Sequence, residues 1–375
     1  EIYGQRDDEL NIQDNDSILE VVKLLEPYSF LGTGDDIKGY VYEIFLKSTL
    51  RGDFDQYFTP REIIDFIIRF ADPKIGDTFL DPACGSGGFL IQSFLYVNQK
   101  IIDSPFSEIE SKKKFSDLIN KSIWGHEADY DLHVLAKINL IMHGDGYNNI
   151  YQGDTLKSTS LSSGFFDYVF TNPPFTIKYG FTDTLSLYEL GLGKESEELD
   201  ILFVEKSLKV LKEGGEMYIV LPEGLLNTKQ YQYFRKWLLE KAYLTMVVSL
   251  PEGIFIPFGQ SVSKTCILGV RKKFTSEIEN NKPKHVFIGN ATHVGYEAGK
   301  RTYRQIKSND LQVFNNHSGE IFDGIKKTND DGEYGWVSQD VVTSNRFDAR
   351  FLLNHIELKG LHKKHTNISS LKEVC

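Results

Sequence analysis

Apolar residues recur along this chain at two different spacings. From Ser17 to Leu50 they fall at helical intervals, with Ile18, Val21, Val22 and Leu25 and then Ile37, Val41, Ile44 and Phe45 on either side of Gly32-Thr33-Gly34. That pattern predicts two or three helices. Thr59-Pro60-Arg61-Glu62 opens another, with Thr59 as N-cap, Pro60 at the first helical position and Glu62 as the reciprocal capping acid. Short apolar runs then alternate with helical ones. Strands are predicted over Thr78–Asp81, Ser122–Ala128, Ile150–Asp154, Asp167–Thr171, Glu216–Leu221, Leu244–Leu250 and Lys264–Val270. Helices are predicted over Phe89–Val97, Asp129–His143 and Asp200–Leu211, the last stopped at Gly214-Gly215. Seven strands with interleaved helices read as an α/β fold, a doubly wound and mostly parallel sheet preceded by an N-terminal helical segment.

Residues 101–121, rich in Ser, Lys and Glu, read as a surface excursion. Periodicity weakens after Phe274. Lys284–Ile288 is one further strand candidate, and Tyr334-Gly335-Trp336-Val337 looks like the start of a new unit. The expected organisation is a helical segment at 1–52, a main domain at 53–305, a linker at 306–333 and a truncated further region at 334–375. The chain begins Glu-Ile-Tyr without Met, as expected of a piece of a longer protein.

Composition narrows the class. Of 375 residues, 41% are hydrophobic and 25% charged, which suits a globular chain. No apolar run reaches the roughly 18 residues of a membrane span. Cys84, Cys266 and Cys375 are too widely spaced for a disulfide framework or a Cys-x-x-Cys metal site, and a cytoplasmic setting is expected. Cys266 lies in an apolar run and reads as a buried small hydrophobe. The net charge is −11, which argues against coating nucleic acid by bulk charge. It is uneven: residues 271–375 hold 17 Lys/Arg against 13 Asp/Glu, while residues 1–270 hold 25 against 40. An acidic body with a more basic C-terminal part is the expectation, with ordinary surface variation as the plain alternative.

Two turns carry the candidate chemistry. The first, Asp81-Pro82-Ala83-Cys84-Gly85-Ser86-Gly87-Gly88-Phe89, joins a strand to a helix. Glycines there allow close backbone approach, and the helix N-terminus offers unpaired N–H groups. By itself the turn suits a dinucleotide or no ligand at all. Its neighbours are acids at strand ends: Asp81, Glu127 after the second strand and Asp154 after the third. Such acids disfavour a pyrophosphate and favour a ligand with a cationic centre, a ribose and an adenine, as in S-adenosylmethionine.

The second turn is Asn172-Pro173-Pro174-Phe175, after the apolar run Asp167–Thr171. The prolines stiffen it and cannot donate, leaving carbonyl acceptors free. The Asn172 side-chain oxygen and the Pro173 carbonyl can both accept from one exocyclic NH₂ group, exposing its lone pair, and Phe175 can stack on the base. A plain turn after a strand is the bland alternative.

Together these stretches resemble the N6-adenine DNA methyltransferases of the type I restriction-modification modification-subunit family, in the gamma order of motifs. Asp81–Phe89 is similar to that family's cofactor motif, Asn172–Phe175 to its catalytic motif, and Gln56-Tyr57-Phe58-Thr59-Pro60 to its upstream cofactor motif. Phe203–Leu226 and Leu250-Pro251-Glu252-Gly253-Ile254-Phe255 also fit. The resemblance implies S-adenosylmethionine as cofactor. Gln56, Tyr57, Phe58 and Thr59 would hold its methionine part, and Asp81, Ala83, Gly85, Ser86 and Gly87 would line it. Glu127 would take its ribose and Asp154 its adenine amine. A target adenine would be flipped into a pocket at Asn172, Pro173, Pro174 and Phe175. Implied partners are double-stranded DNA, a DNA-specificity subunit or fused domain, and a restriction nuclease subunit or domain. The run Asn345–Phe351 resembles the lead-in to such a specificity region, as in fused proteins.

Weaker signals point nowhere specific. His362-Lys363-Lys364-His365 reads as a solvated basic face, and His133 and His143 do not form a metal pair, so no metal is expected. Thr176–Leu199 is long and polar, read either as a mobile loop closing over a flipped base or as an inert surface loop. Two other functions stay open at this stage: methylation of a protein glutamine or an RNA amine, and a catalytically silent DNA-binding assembly module.

Overall fold

The computed structural model describes Leu19, Lys23 and residues 58–364, except 145–147, 160, 259–263, 277–281, 301 and 323, with no side chains from 358 to 364. Apart from Leu19 and Lys23, the N-terminal helices expected at 1–52 lie outside the described residues. So do Gln56 and Tyr57 of the upstream motif, His365 and Cys375.

Helix α1 (Arg61–Ala71) leads into β1 (Phe79–Asp81) and α2 (Gly88–Asp103). Then come α3 (Glu108–Asp117), β2 (Ile123–Glu127), α4 (Tyr130–Met142), β3 (Ile150–Gln152) and β4 (Phe166–Thr171). A small excursion follows, made of β5 (Lys178–Tyr179), α5 (Thr182–Leu185) and β6 (Glu197–Glu198). The chain continues through α6 (Leu199–Val210), β7 (Leu211–Pro222), α7 (Gly224–Asn227), α8 (Gln232–Lys241), β8 (Ala242–Ser249) and β9 (Thr265–Lys272). It closes with β10 (His285–Asn290), β11 (Val294–Tyr296), β12 (Gln305–Asn309), α9 (Asp310–His317), β13 (Ile325–Lys327), β14 (Glu333–Ser338) and α10 (Ala349–Lys364).

The central sheet has ten strands in the order β13-β14-β10-β8-β9-β7-β4-β1-β2-β3. All seven expected strands are present and contiguous within it. The pairs from β3 through β7 and the β8–β10 pair are parallel; β9, β13 and β14 run antiparallel to their neighbours.

The strands read as continuous apolar runs because both faces are covered. Along β7, Met217, Ile219 and Leu221 enter one core with α6, α8 and α10, while Tyr218 and Val220 enter the other with α1, α2 and α9. The same alternation splits Val247 from Met246 and Val248 on β8. Gly125 on β2 marks a close approach: a Cβ there would lie 2.7 Å from Leu90 Cδ1 and 3.2 Å from Cys84 Sγ.

The sheet is wider than the seven strands expected. The stretch taken as a linker, 306–333, holds most of β12, all of α9 and β13, and the start of β14. Tyr334–Val337, expected to open a new unit, is instead hydrogen-bonded to β10 in the main sheet. The reason is packing. Buried Phe287 on β10 contacts the rings of Phe314, Tyr334 and Trp336, so the later elements share the sheet's core.

Two local expectations also shift. Helix α6 ends at Val210 rather than at the glycine pair, because buried Leu211 takes extended backbone and pairs with Phe166. Gly214 and Gly215 then lie inside β7. Helix α1 begins at Arg61 with Pro60 as its N-cap, and no side chain caps it. The 101–121 excursion is largely helical, with α3 capped reciprocally by Ser107 and Glu110 and burying none of its side chains. Cys84 and Cys266 are both buried.

Phe287→Ala is expected to cost about 3–5 kcal/mol of stability, because it empties the site where α9 and β14 meet the sheet. Denaturant unfolding checks this: β10, β14 and α9 should be lost in the same transition as the rest of the sheet.

Candidate active site

The strand ends converge on one edge of the sheet. Parallel pairing sets Leu80 opposite Val169 and Asp81 opposite Gly125, so the turns leaving β1, β2 and β4 lie side by side.

The glycine turn is built from backbone and held from below. Gly85 and Gly87 take φ of +51° and +89°, the left-handed region that favours glycine, and Gly87 is the N-cap of α2. The Glu127 carboxylate accepts from the Gly85 N–H at 2.8 Å and from the Asp129 N–H at 2.9 Å. Burial raises its pKa in spite of these bonds. Asn139 on α4 donates from Nδ2 to the Ser86 carbonyl at 2.9 Å. Asp81 is 2% exposed and accepts from the Ala83 N–H at 3.0 Å. Burial pushes its carboxyl up to about 7, against the pull of its hydrogen bonds.

Asp154 accepts from the Leu156 N–H at 3.0 Å and from the Tyr179 hydroxyl at 2.6 Å. Next to it, Thr155 donates to the Pro82 carbonyl at 2.6 Å, tying the third strand end to the first turn.

The second turn faces the first. Asn172 Nδ2 donates to Thr59 Oγ1 at 3.0 Å. Its Oδ1 is buried and has no hydrogen-bond partner among the described residues. Two cavities meet here, and both are lined by Ala83 and Asn172. One runs past Thr59, Asp81 and Ser86 toward Asn139; the other is lined by Gly85, Glu127, Asp154, Pro174, Phe175 and Tyr179. The Phe175 ring meets Phe255 edge-on, with centroids 5.7 Å apart.

The structure thus brings together every described candidate: Phe58, Thr59, Asp81, Ala83, Gly85, Ser86, Glu127, Asp154 and Asn172–Phe175 all line one or both cavities, and Gly87 shapes the turn beside them. Thr59 is not the helix cap it was expected to be; its hydroxyl is spent on Asn172 instead.

Sequence reasoning missed Tyr179 and Asn139. Tyr179 falls in a polar stretch with no motif, and Asn139 sits in an ordinary helical pattern, so neither carries a local signal. The 176–199 stretch is folded: Glu205 on α6 accepts from the N–H groups of Glu189 and Leu190 at 2.6 and 2.9 Å, and Tyr188 donates to the Leu156 carbonyl at 2.8 Å. His133 and His143 are both buried, bonded to the Ile150 and Asn139 carbonyls. Among the described residues no group of three or more His, Cys, Asp or Glu could hold a metal, and no helix is long and apolar enough to cross a membrane.

A sheet of this order, with a glycine turn after its first strand and an Asn-Pro-Pro-Phe turn after its fourth, defines a class: the fold of S-adenosylmethionine-dependent methyltransferases. A Listeria monocytogenes structure described as a class I member of that group superposes with a TM-score of 0.58 over 75% of this chain and 81% of its own, at 18% identity. Within the class, the chain belongs to the N-6 DNA Methylase family, whose profile matches residues 33–349. It is 29% identical over 263 residues to the type I restriction enzyme EcoEI methylase subunit of Escherichia coli, covering 67% of this chain and 50% of that one. It is 27% identical over 336 residues to the EcoKI methylase subunit of Escherichia coli K12, covering 87% and 61%. The type I methyltransferase subunit of Streptococcus thermophilus superposes with a TM-score of 0.65 at 22% identity, over 91% of this chain and 67% of that one. The chain spans about half the length of the first curated relatives it matches.

The raised Asp81 pKa has a signed consequence. Between about 4 and about 7 the unfolded chain has released this proton and the folded protein keeps it. The stability that neutral Asp81 contributes is therefore present at low pH and lost as pH rises through about 7. Asp81→Asn should gain stability relative to the parent protein as pH rises across this window and then level off. Thermal unfolding of both ligand-free proteins against pH checks it.

Proposed function

We propose that this protein is a site-specific DNA methyltransferase that transfers a methyl group from S-adenosylmethionine to N6 of an adenine flipped out of the duplex, as the modification part of a restriction-modification system. One observation carries the reading: the buried, unpartnered Asn172 Oδ1 on the wall shared by the two cavities. A buried acceptor without a donor is costly, and a substrate amine would satisfy it.

The residues fit the cofactor. The positive-φ turn at Gly85 and Gly87 allows close backbone approach, Asp81 and Glu127 place carboxyls beside it, and Asp154 stands farther along the second cavity. Phe58 and Thr59, which line the first cavity, would hold the methionine part. When bound, S-adenosylmethionine supplies the electrophilic methyl group. The chain itself positions the nucleophile: Thr59 fixes the Asn172 amide so that its oxygen accepts from the target amine, the prolines hold the turn rigid, and Phe175 offers its face to the base. No residue need remove a proton before attack; catalysis is orientation and dipole stabilisation.

Double-stranded DNA is the substrate in this reading, with a specificity subunit or fused domain choosing the site and a restriction nuclease subunit or domain as further partner. The resemblance of Asn345–Phe351 to the lead-in of such a specificity part supports this.

Incubation with labelled S-adenosylmethionine and DNA, RNA or protein tests the substrate. Label on adenine N6 of DNA is expected; label only in RNA or protein, or no cofactor binding by calorimetry, would overturn the reading. Asn172→Ala should slow transfer by about 100-fold or more while cofactor affinity stays within about threefold. A large loss of affinity would contradict the role given to this amide.

A further inference from the structure

Asp200 lies behind the Asn-Pro-Pro-Phe turn, in the first turn of α6, and is 2% exposed. Its Oδ2 accepts from the Thr176 N–H at 3.3 Å, and its Oδ1 is buried with no hydrogen-bond partner among the described residues. Thr176 directly follows Phe175 and has φ of +55°, in the left-handed region that β-branched residues rarely adopt. Such strain persists only where surrounding structure enforces it. Thr176 also donates from its own hydroxyl to the Phe175 carbonyl at 2.8 Å. That bond is local and leaves the turn free to swing as a unit. The Asp200 carboxylate is different, because it joins the turn to a helix whose Ile201, Val204 and Leu208 are packed in the core.

The acid is an expensive choice for this place. Burial pushes its carboxyl up to about 7, and the charge of Glu198 just before it acts in the same direction. Tyr231, which donates to Glu198 at 3.2 Å, is the other titratable group facing it. Asp200 lines neither cavity, so it does not touch the reacting groups.

We infer that Asp200 is a positioning residue for methyl transfer: by accepting from the Thr176 N–H it holds the left-handed exit of the turn, and so aims Asn172 and Phe175 at the junction of the cavities. The inference rests on the proposed function of that turn. A displacement of about 1 Å at a reacting group can slow a reaction by about 100-fold, so the contact is large enough to matter.

Three variants test it, with kcat, KM for DNA, cofactor Kd and thermal stability measured for each. Asp200→Ala should lower kcat by about 10- to 100-fold and leave cofactor Kd within about threefold. Asp200→Asn should recover most of the loss, because an amide oxygen also accepts from Thr176. Adding Thr176→Gly to Asp200→Ala should restore about tenfold, since glycine holds a positive φ without help. Full kcat in Asp200→Ala would overturn the inference. So would a loss that tracks thermal stability and is rescued neither by Asp200→Asn nor by Thr176→Gly. Asn172→Ala in the same assay separates the two levels: if it stays active, the reading of the turn falls; if it is inactive while Asp200→Ala is fully active, only the role of Asp200 falls.

Discussion

The parallel pairing of β1 with β4, Phe79 against Tyr168 and Leu80 against Val169, is the constraint on which the site depends. It brings the glycine turn and the Asn-Pro-Pro-Phe turn to the same edge, one strand apart. A slip of one residue would send every side chain of the strand to the opposite face. Here that would exchange the stacked Phe79, Tyr168 and Phe170 rings on one face with the aliphatic Leu80 and Val169 on the other. Both cores therefore defend one register, and the register defends the site.

The electrostatics follow from the same edge. Asp81 and Glu127 are buried where the strands end, and burial raises both carboxyls. Such groups favour a cationic ligand, which would draw out their charged forms, over the phosphates of a nucleic acid. Two of the 40 acids of residues 1–270 are thus accounted for by the strand-end site. In the proposed function these two acids would face the cofactor, and the chain's overall charge of −11 leaves little attraction for phosphates by bulk charge.

The segment after the Asn-Pro-Pro-Phe turn shows how much of a site can be supplied from a distance. Its backbone donates to Glu205 and Asp200 on α6 and pairs in the β5–β6 ladder, and the Tyr188 hydroxyl ties it to the Leu156 carbonyl. Tyr179, on that segment, reaches back to Asp154 at the third strand end. The stretch between two recognisable motifs therefore forms a wall of the second cavity, and its polar composition reflects internal hydrogen bonding as well as exposure to solvent.

The sequence by itself determined the local grammar. Apolar strands with both faces covered, acids at strand ends, a glycine turn before a helix and the Asn-Pro-Pro-Phe turn were all legible, because each depends on neighbours within a few residues. The family resemblance followed from their order. The tertiary structure alone decided what depends on residues far apart. Thr59 was read as a helix cap because its nearest backbone donors are local, yet its hydroxyl meets Asn172, 113 residues away. The stretch 306–333 was read as a linker because its periodicity is weak, yet Phe314 and Tyr334 complete the ring cluster around Phe287. Asp200 was one more residue of a predicted helix until the fold brought it to Thr176. Spacing along a chain reports which face a residue occupies; which partner waits at that face is settled only when the strands have paired.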